Sequence, residues 1–215
     1  MRAHIVILIG LLSTAAAAPA AAQPVARGDA TGAVGWFNAD KSGLDSYNDW
    51  YNRSAHVGAM LGWYWTDHLK TEVEAGATSR ATLYAIRPFD VEGQQIYASS
   101  QHRFSTRRIT AGQHYQFFRN AWAHPHVAAG VDLTWETEDR ADDPVVHYDQ
   151  VSRTTRVLRP AQTIAPSTTL RVRPFAEVGT KLYLSRRGFF RTDLRLTLRD
   201  GVDEVLMRFG FGVDF

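Results

Sequence analysis

Beyond residue 23 the chain switches between polar and apolar residues at nearly every step, and no stretch repeats apolar positions at helical spacing. Period-two alternation marks a β-strand with one apolar face. Residues 69–84 (LKTEVEAGATSRATLY) show it at length. One parity carries Leu69, Thr71, Val73, Ala75, Ala77, Ser79, Ala81 and Leu83; the other carries Lys70, Glu72, Glu74, Gly76, Thr78, Arg80, Thr82 and Tyr84. Such a strand exceeds the ~5–6 residues usual in soluble sheets and suits a tilted membrane strand, which needs ~9–11 residues in the hydrocarbon. The same reading predicts strands at residues 32–38, 54–65, 69–84, 104–118, 123–136, 170–184, 189–199 and 202–215. Short turns at 66–68, 119–122 and 185–188 alternate with longer links at 39–53, 85–103 and 137–169, and Asp200-Gly201 is a short hairpin on the long-link side. The predicted fold is all-β: an eight-stranded antiparallel up-and-down transmembrane β-barrel, with short turns on one rim and long loops on the other.

The apolar parity tests the lipid face. Over the aligned middle portions of strands two to eight it carries no Asp, Glu, Lys or Arg, although charged residues make up 21% of the chain. An outward Arg or Lys at the bilayer midplane costs ~2–4 kcal/mol, which accounts for the gap. The first strand (GAVGWF) leaves its parity open. Aromatics gather near strand ends, among them Trp63, Trp65, Tyr115, Phe117, Trp122, Trp135, Phe189, Phe190 and Phe211, and read as interfacial girdles. The competing reading is a soluble β-sandwich, which uses shorter strands and more turns.

The first residues look like an address. Arg2 precedes an apolar run at residues 5–12 (IVILIGLL), and small residues end at Ala20-Ala21-Ala22. This pattern predicts a cleaved secretory signal peptide at residues 1–22, leaving the barrel as residues 23–215. The apolar run is well short of the ~20 residues of a membrane helix.

Composition narrows the chemistry. The chain of 215 residues has no Cys, so disulfide scaffolds, zinc ribbons and a Cys nucleophile are excluded. Its net charge of +2 supplies no basic field for nucleic acid. A mean hydropathy of −0.26 argues against a helical membrane bundle but not against a barrel, where only alternate residues meet lipid.

Eight strands leave an interior that side chains can just fill. The inward parity predicts the bases Lys70, Arg80, Arg108, Arg171, Arg173, Lys181, Arg191, Arg195, Arg199 and Arg208 there. The acids are Glu72, Glu74, Asp132, Glu177, Asp193, Glu204 and Asp214. An unpaired charge in a narrow lumen costs several kcal/mol, so the central ones are expected to pair. Glu177, Asp193, Arg195 and Arg208 are the predicted centre of a salt-bridged plug, either a static core or a rearranging ion-pair gate. His114, His124 and His126 converge across a hairpin and form a weak candidate metal site; no carboxylate lies at obvious ligand spacing, and lumen-lining polar residues are the plainer reading. Ser99, Ser100 and His102 lie together in the second long link, with no Gly-x-Ser-x-Gly elbow anywhere. No cofactor is expected. The link at 137–169 splits into acidic Glu138, Asp139, Asp142 and Asp143 and basic Arg153, Arg156 and Arg159. It reads either as a solvated loop or as a hairpin over 145–157 that extends past the bilayer, its basic half meeting lipopolysaccharide phosphate.

The last segment, VLMRFGFGVDF, sets Val205, Met207, Phe209, Phe211, Val213 and Phe215 on one face. It resembles the terminal strand by which bacterial outer-membrane proteins address the barrel-assembly machinery, with Phe209, Phe211, Val213 and Phe215 as the signal. HPHVAAGV at 124–131 and RPFAEVGTK at 173–181 resemble strands of small porin-like barrels of the OmpA, OmpX and OmpW type. No sequence follows Phe215 for a peptidoglycan-binding domain, so cell-wall anchoring is not expected. The resemblance implies a non-enzymatic, monomeric protein of the outer membrane of a Gram-negative envelope. Its partners would be the bilayer and lipopolysaccharide, and its role structural or surface-interacting. A narrow channel for small or apolar solutes and a lipid-modifying enzyme are the alternatives.

Overall fold

Alternation in sequence becomes alternation in exposure. The computed structural model describes residues 27–41, 50–91, 93–118, 122–149 and 152–215. The expected signal peptide, residues 1–22, lies outside the described residues. The strands are β1 (Gly28–Asp40), β2 (Trp50–Tyr64), β3 (Leu69–Thr78), β4 (Ala81–Val91), β5 (Gln94–Gln116), β6 (Ala123–Asp142), β7 (Val145–Asp149), β8 (Thr154–Arg159), β9 (Gln162–Tyr183), β10 (Gly188–Leu198) and β11 (Val202–Asp214). Eight of them close into an antiparallel ring in the order β3-β2-β1-β11-β10-β9-β6-β5, with β5 returning to β3. The first and last strands seal it, from Asp29 opposite Asp214 to Ala39 opposite Glu204. Within the ring Val34, Trp36, Val57, Leu61, Val73, Ile109, Val131, Val172 and Val178 point outward and are exposed. The parity of β1, open in the sequence, resolves with Asp29, Thr31, Ala33 and Phe37 inward.

The predicted strand at 69–84 departs from expectation in its second half. Ala77 faces Arg107 and Ala81 faces Phe104, so four steps on one strand meet three on its partner. One extra residue is a β-bulge, and it moves every later side chain to the other face. Ser79 anchors the break: Ala55 N donates to its Oγ at 2.9 Å, and its own N donates to Ala55 O at 2.7 Å. Beyond it Ala81 and Ala85 are buried, whereas Tyr84 and Ile86 are exposed. Arg80, expected in the lumen, turns outward with its side chain 62% exposed. Arg199 is likewise at the exposed rim rather than inside. Phe189, expected in a girdle, faces inward and is buried, because it falls on the parity of Arg191 and Asp193.

The ring is lopsided. β5, β6 and β9 have 23, 20 and 22 residues, whereas β10 and β11 have 11 and 13. The expected link at 85–103 is strand: β4 runs along β5 from Ala81 opposite Phe104 to Val91 opposite Gln94. The reversal uses Gly93 at φ 81°, where a Cβ would be strained. Likewise β6 and β9 pair on to Asp142 opposite Gln162, and β7–β8 form a separate hairpin between them. A four-stranded sheet, β4-β5-β6-β9, therefore stands above the long-link rim. Below it the interior is packed side chain against backbone. The Phe175 ring lies so close to Gly112 and Gly130 that a Cβ at either would sit 2.7–2.8 Å from it.

Candidate functional site: the lumen

Inward residues come from every strand of the ring, so charges distant in sequence meet across it. At the short-turn end Asp29 Oδ2 accepts from Lys70 Nζ at 2.9 Å, Lys181 Nζ at 2.8 Å and Tyr64 OH at 2.9 Å. Lys181 also donates to Asp214 at 2.9 Å, and its ammonium lies 3.8 Å from the centre of the Phe189 ring. Lys70 donates to Glu72 at 2.7 Å, which links this layer to the next.

The middle layer is built on three arginines. Arg191 donates to Glu72 at 2.6 Å, Glu177 at 2.7 Å and Asp193 at 2.7 Å. Arg208 donates to Asp193 at 2.5 Å, to Glu177 at 2.6 Å, and to Glu74. Arg195 reaches Glu177 and Glu74, each at 2.8 Å, and Thr110 at 3.2 Å. Lys70, Arg191, Arg195 and Arg208 thus face Glu72, Glu74, Glu177 and Asp193, four cations against four carboxylates, all of them buried. β10 and β3 stand four places apart in the ring of eight, so the Arg191–Glu72 and Arg195–Glu74 pairs cross its full width.

A third layer repeats the device. Arg108 on β5 pairs with Asp132 at 3.2 Å on the adjacent strand and with Glu204 at 3.0 Å on β11, which lies opposite. Arg173 pairs with Glu204 at 2.5 Å and with Asp203. Above this layer the lumen opens into a cavity of about 510 Å³, lined among others by Asp40, Lys41, Phe104, Glu136, Glu138 and Arg171. Lys41 crosses its floor to Glu136 at 2.5 Å.

The lumen residues proposed from sequence, Glu72, Glu74, Arg108, Asp132, Arg173, Glu177, Lys181, Arg191, Asp193, Arg195 and Arg208, are all buried on the inward face. Sequence reasoning missed Asp29, His56, Tyr64, Tyr183 and Asp203. Asp29 falls before the predicted start of the first strand, and Tyr183 reads from the sequence as an interfacial ring. His56 bonds Glu74 at 3.1 Å, and its inward parity was available as a signal.

The histidine cluster reorganises. His114 and His126 are neighbours, with ring centres 5.4 Å apart, but His124 packs on Tyr183 instead. Ligand atoms of His114, His126 and Glu177 lie within 4.8 Å of one another. Glu177 already receives Arg191, Arg195 and Arg208, and three guanidiniums so close oppose a metal cation there.

In the tall sheet Ser100 Oγ lies 3.0 Å from His102 Nε2, and His102 Nδ1 lies 2.6 Å from Glu138 Oε1. Nucleophile, base and orienting carboxylate have the right spacing for acyl transfer. Two facts weigh against it. Ser100 is 3% exposed, and β5 is paired on both sides at this level, with Ser100 opposite Ala85 and Asp142. Its backbone N–H groups are committed to the ladder, so none is free to hold an oxyanion.

Residues 7–213 match the family of the outer membrane protein beta-barrel domain. No curated protein matches the chain. Among solved structures, Neisserial surface protein A is similar over 87% of this chain and 97% of its own, with a TM-score of 0.56 and 11% identity. Ail, the attachment invasion locus protein of Yersinia pestis, is similar over 88% and 99%, with a TM-score of 0.50 and 9% identity. These likenesses are of fold.

Proposed function

The chain belongs to the outer membrane protein beta-barrel family, and from that premise we propose a structural, surface-interacting barrel of the bacterial outer membrane with a plugged, non-conducting lumen. It performs no catalysis and needs no cofactor. The observation that carries this reading is the pairing of Arg191 with Glu72 and of Arg108 with Glu204 across opposite strands. Such crossbars lie at two depths and every charge they use is buried, which supports a lumen closed to water. The ion pairs act as a static core rather than a gate. Each central guanidinium holds two or three carboxylates at once, so opening a path would strand several buried charges together. The paired backbone around Ser100 supports the absence of hydrolytic chemistry. The tall polar sheet supports contact with the cell surface environment, including lipopolysaccharide. Residues 1–22 direct export and are removed, the outward face of Phe209, Phe211, Val213 and Phe215 engages the assembly machinery, and the mature barrel is a monomer.

Planar-bilayer recording tests the plug. The folded barrel is expected to give no steady current step at moderate voltage. The quadruple variant Glu72→Ala/Arg191→Ala/Glu74→Ala/Arg195→Ala, which removes both pairs that span the middle layer, is expected to introduce brief or steady openings. A sustained conductance in the unaltered protein would overturn the reading.

A further inference from the structure

The outward bulge at Ser79-Arg80 has a chemical consequence on the outer wall. From the level of Val73 to that of Ile109 the outward rows of β3, β5, β6 and β9 are apolar, through Val73, Ala75, Ile109, Val131, Leu133 and Val172. The next outward residue of β5 is Arg107, set between Ala77 and Trp135. Four residues further up the same face is Arg103, between Thr82 and Asp139. Arg80 projects between them from the bulge and reaches Asp139 at 3.4 Å. Arg103 donates to Gln101 at 3.0 Å. Arg107 is exposed and has no acidic partner among the described residues. Three guanidiniums and one carboxylate thus form a basic patch on the membrane side of the barrel, directly past the last apolar row.

We propose that Arg80, Arg103 and Arg107 form a binding site for the phosphate groups of a phosphorylated glycolipid of the lipid A class, its acyl chains lying down the apolar wall below. The inference rests on the outer-membrane reading and its lipopolysaccharide contact, and adds the part of that lipid that is held and the residues that hold it. A guanidinium presents a planar fork of N–H donors that matches phosphate oxygens. At the headgroup level an unpartnered one meets phosphate rather than bulk water. A soluble polyanion would use the arginines but leave the contiguous apolar strip uncovered; an amphiphile satisfies both. Arg103 and Arg107 are about 13 Å apart along the strand, at ~3.3 Å per residue, so the patch spans more than one phosphate.

The purified barrel in neutral detergent is titrated with diphosphoryl lipid A, monophosphoryl lipid A, phosphatidylcholine and inorganic phosphate, with bound lipid counted by native mass spectrometry. Diphosphoryl lipid A is expected to bind at least tenfold more tightly than phosphatidylcholine, the monophosphoryl form to fall between, and inorganic phosphate not to displace either. The triple variant Arg80→Gln/Arg103→Gln/Arg107→Gln is expected to lose that preference. Arg107→Gln alone, which orphans no partner and so leaves folding untouched, is expected to lose about threefold. Arg186→Gln/Arg187→Gln, at the opposite rim, is expected to bind like the parent. Equal binding of all lipids by the parent, or an undiminished preference in the triple and Arg107 variants, would overturn the site. A barrel that stays soluble without detergent would instead overturn the membrane reading beneath it.

Discussion

The same strands behave differently in their two halves. Below the pairing of Thr197 with Phe175, β9 belongs to a closed ring and buries every second residue, including Phe175, Glu177 and Lys181. Above it β9 has lost β10 as a neighbour, and residues 162–170 are exposed on both faces. Charges follow the same division. Arg208 in the ring is fully enclosed and holds three carboxylates, while Arg80 on the outer wall meets one carboxylate at 3.4 Å with its side chain 62% exposed. A pair of the second kind contributes ~0–1 kcal/mol, whereas breaking a pair of the first kind leaves buried charge behind. Closure of the ring, more than the residue types, decides what an ion pair is worth here.

The strongest way to break this contrast is to remove Arg208. Arg208→Ala leaves Glu74, Glu177 and Asp193 short of a cation in the middle of the lumen. The expected loss is about 3–5 kcal/mol of unfolding free energy, read as a lower urea midpoint for the folded gel band. Arg159→Ala removes a half-exposed guanidinium from the buried Asp142 while Arg140 still holds that carboxylate, and should change stability by less than about 1 kcal/mol. Comparable losses from both would sink the distinction.

A second contrast concerns the outer skin. Val73 faces outward about midway along β3, and Thr163, paired with Ala141 on the parity of the outward Asp139, faces outward in the tall part of β9. Val73→Arg places a charge in hydrocarbon and is expected to cost ~2–4 kcal/mol in lipid vesicles. Thr163→Arg is expected to stay within about 0.5 kcal/mol of the parent, since it enters water. The ratio of the two effects measures where the bilayer ends on this side of the barrel.

The difference between the halves also explains what could be read from the sequence. In the ring, lipid on one side and packed charge on the other force strict alternation, so strand positions and facing were legible. In the tall section the outer face meets water and the buried face carries small or polar residues such as Ala85, Ala98, Ser100 and His102, so alternation fades, and residues 85–103 read as a loop although β4 and β5 pair along them. The bulge left no trace, because Ser79-Arg80-Ala81 continues the apolar-polar rhythm while the backbone gains a residue. Parity placed Glu72 and Arg191 on the inner face but could not pair them; that needed the ring order, which sets β3 opposite β10. Asp29 was hidden because the small residues of GDATGAVG fix no parity.

The smallest effect is expected from the largest deletion. β6 and β9 pair as far as Asp142 opposite Gln162, so a two-residue Asn-Gly turn can join them in place of residues 143–161. The excision removes the whole β7–β8 hairpin. It forfeits the buried Val145, the contact of Ser99 with Asp143 and the Arg159–Asp142 pair, all in the tall section. None of these touches the crossbars at Glu72–Arg191 or Glu204–Arg108. The ring should therefore unfold at a urea midpoint within about 0.5 kcal/mol of the parent. Hydrogen exchange at upper β5 should quicken, since it loses the packing of β7 and the bond from Asp143 N to Ser99 O. A deletion that lowered the midpoint as much as Arg208→Ala would mean that the two halves fold as one cooperative unit, and that the tall sheet is part of what holds the ring shut.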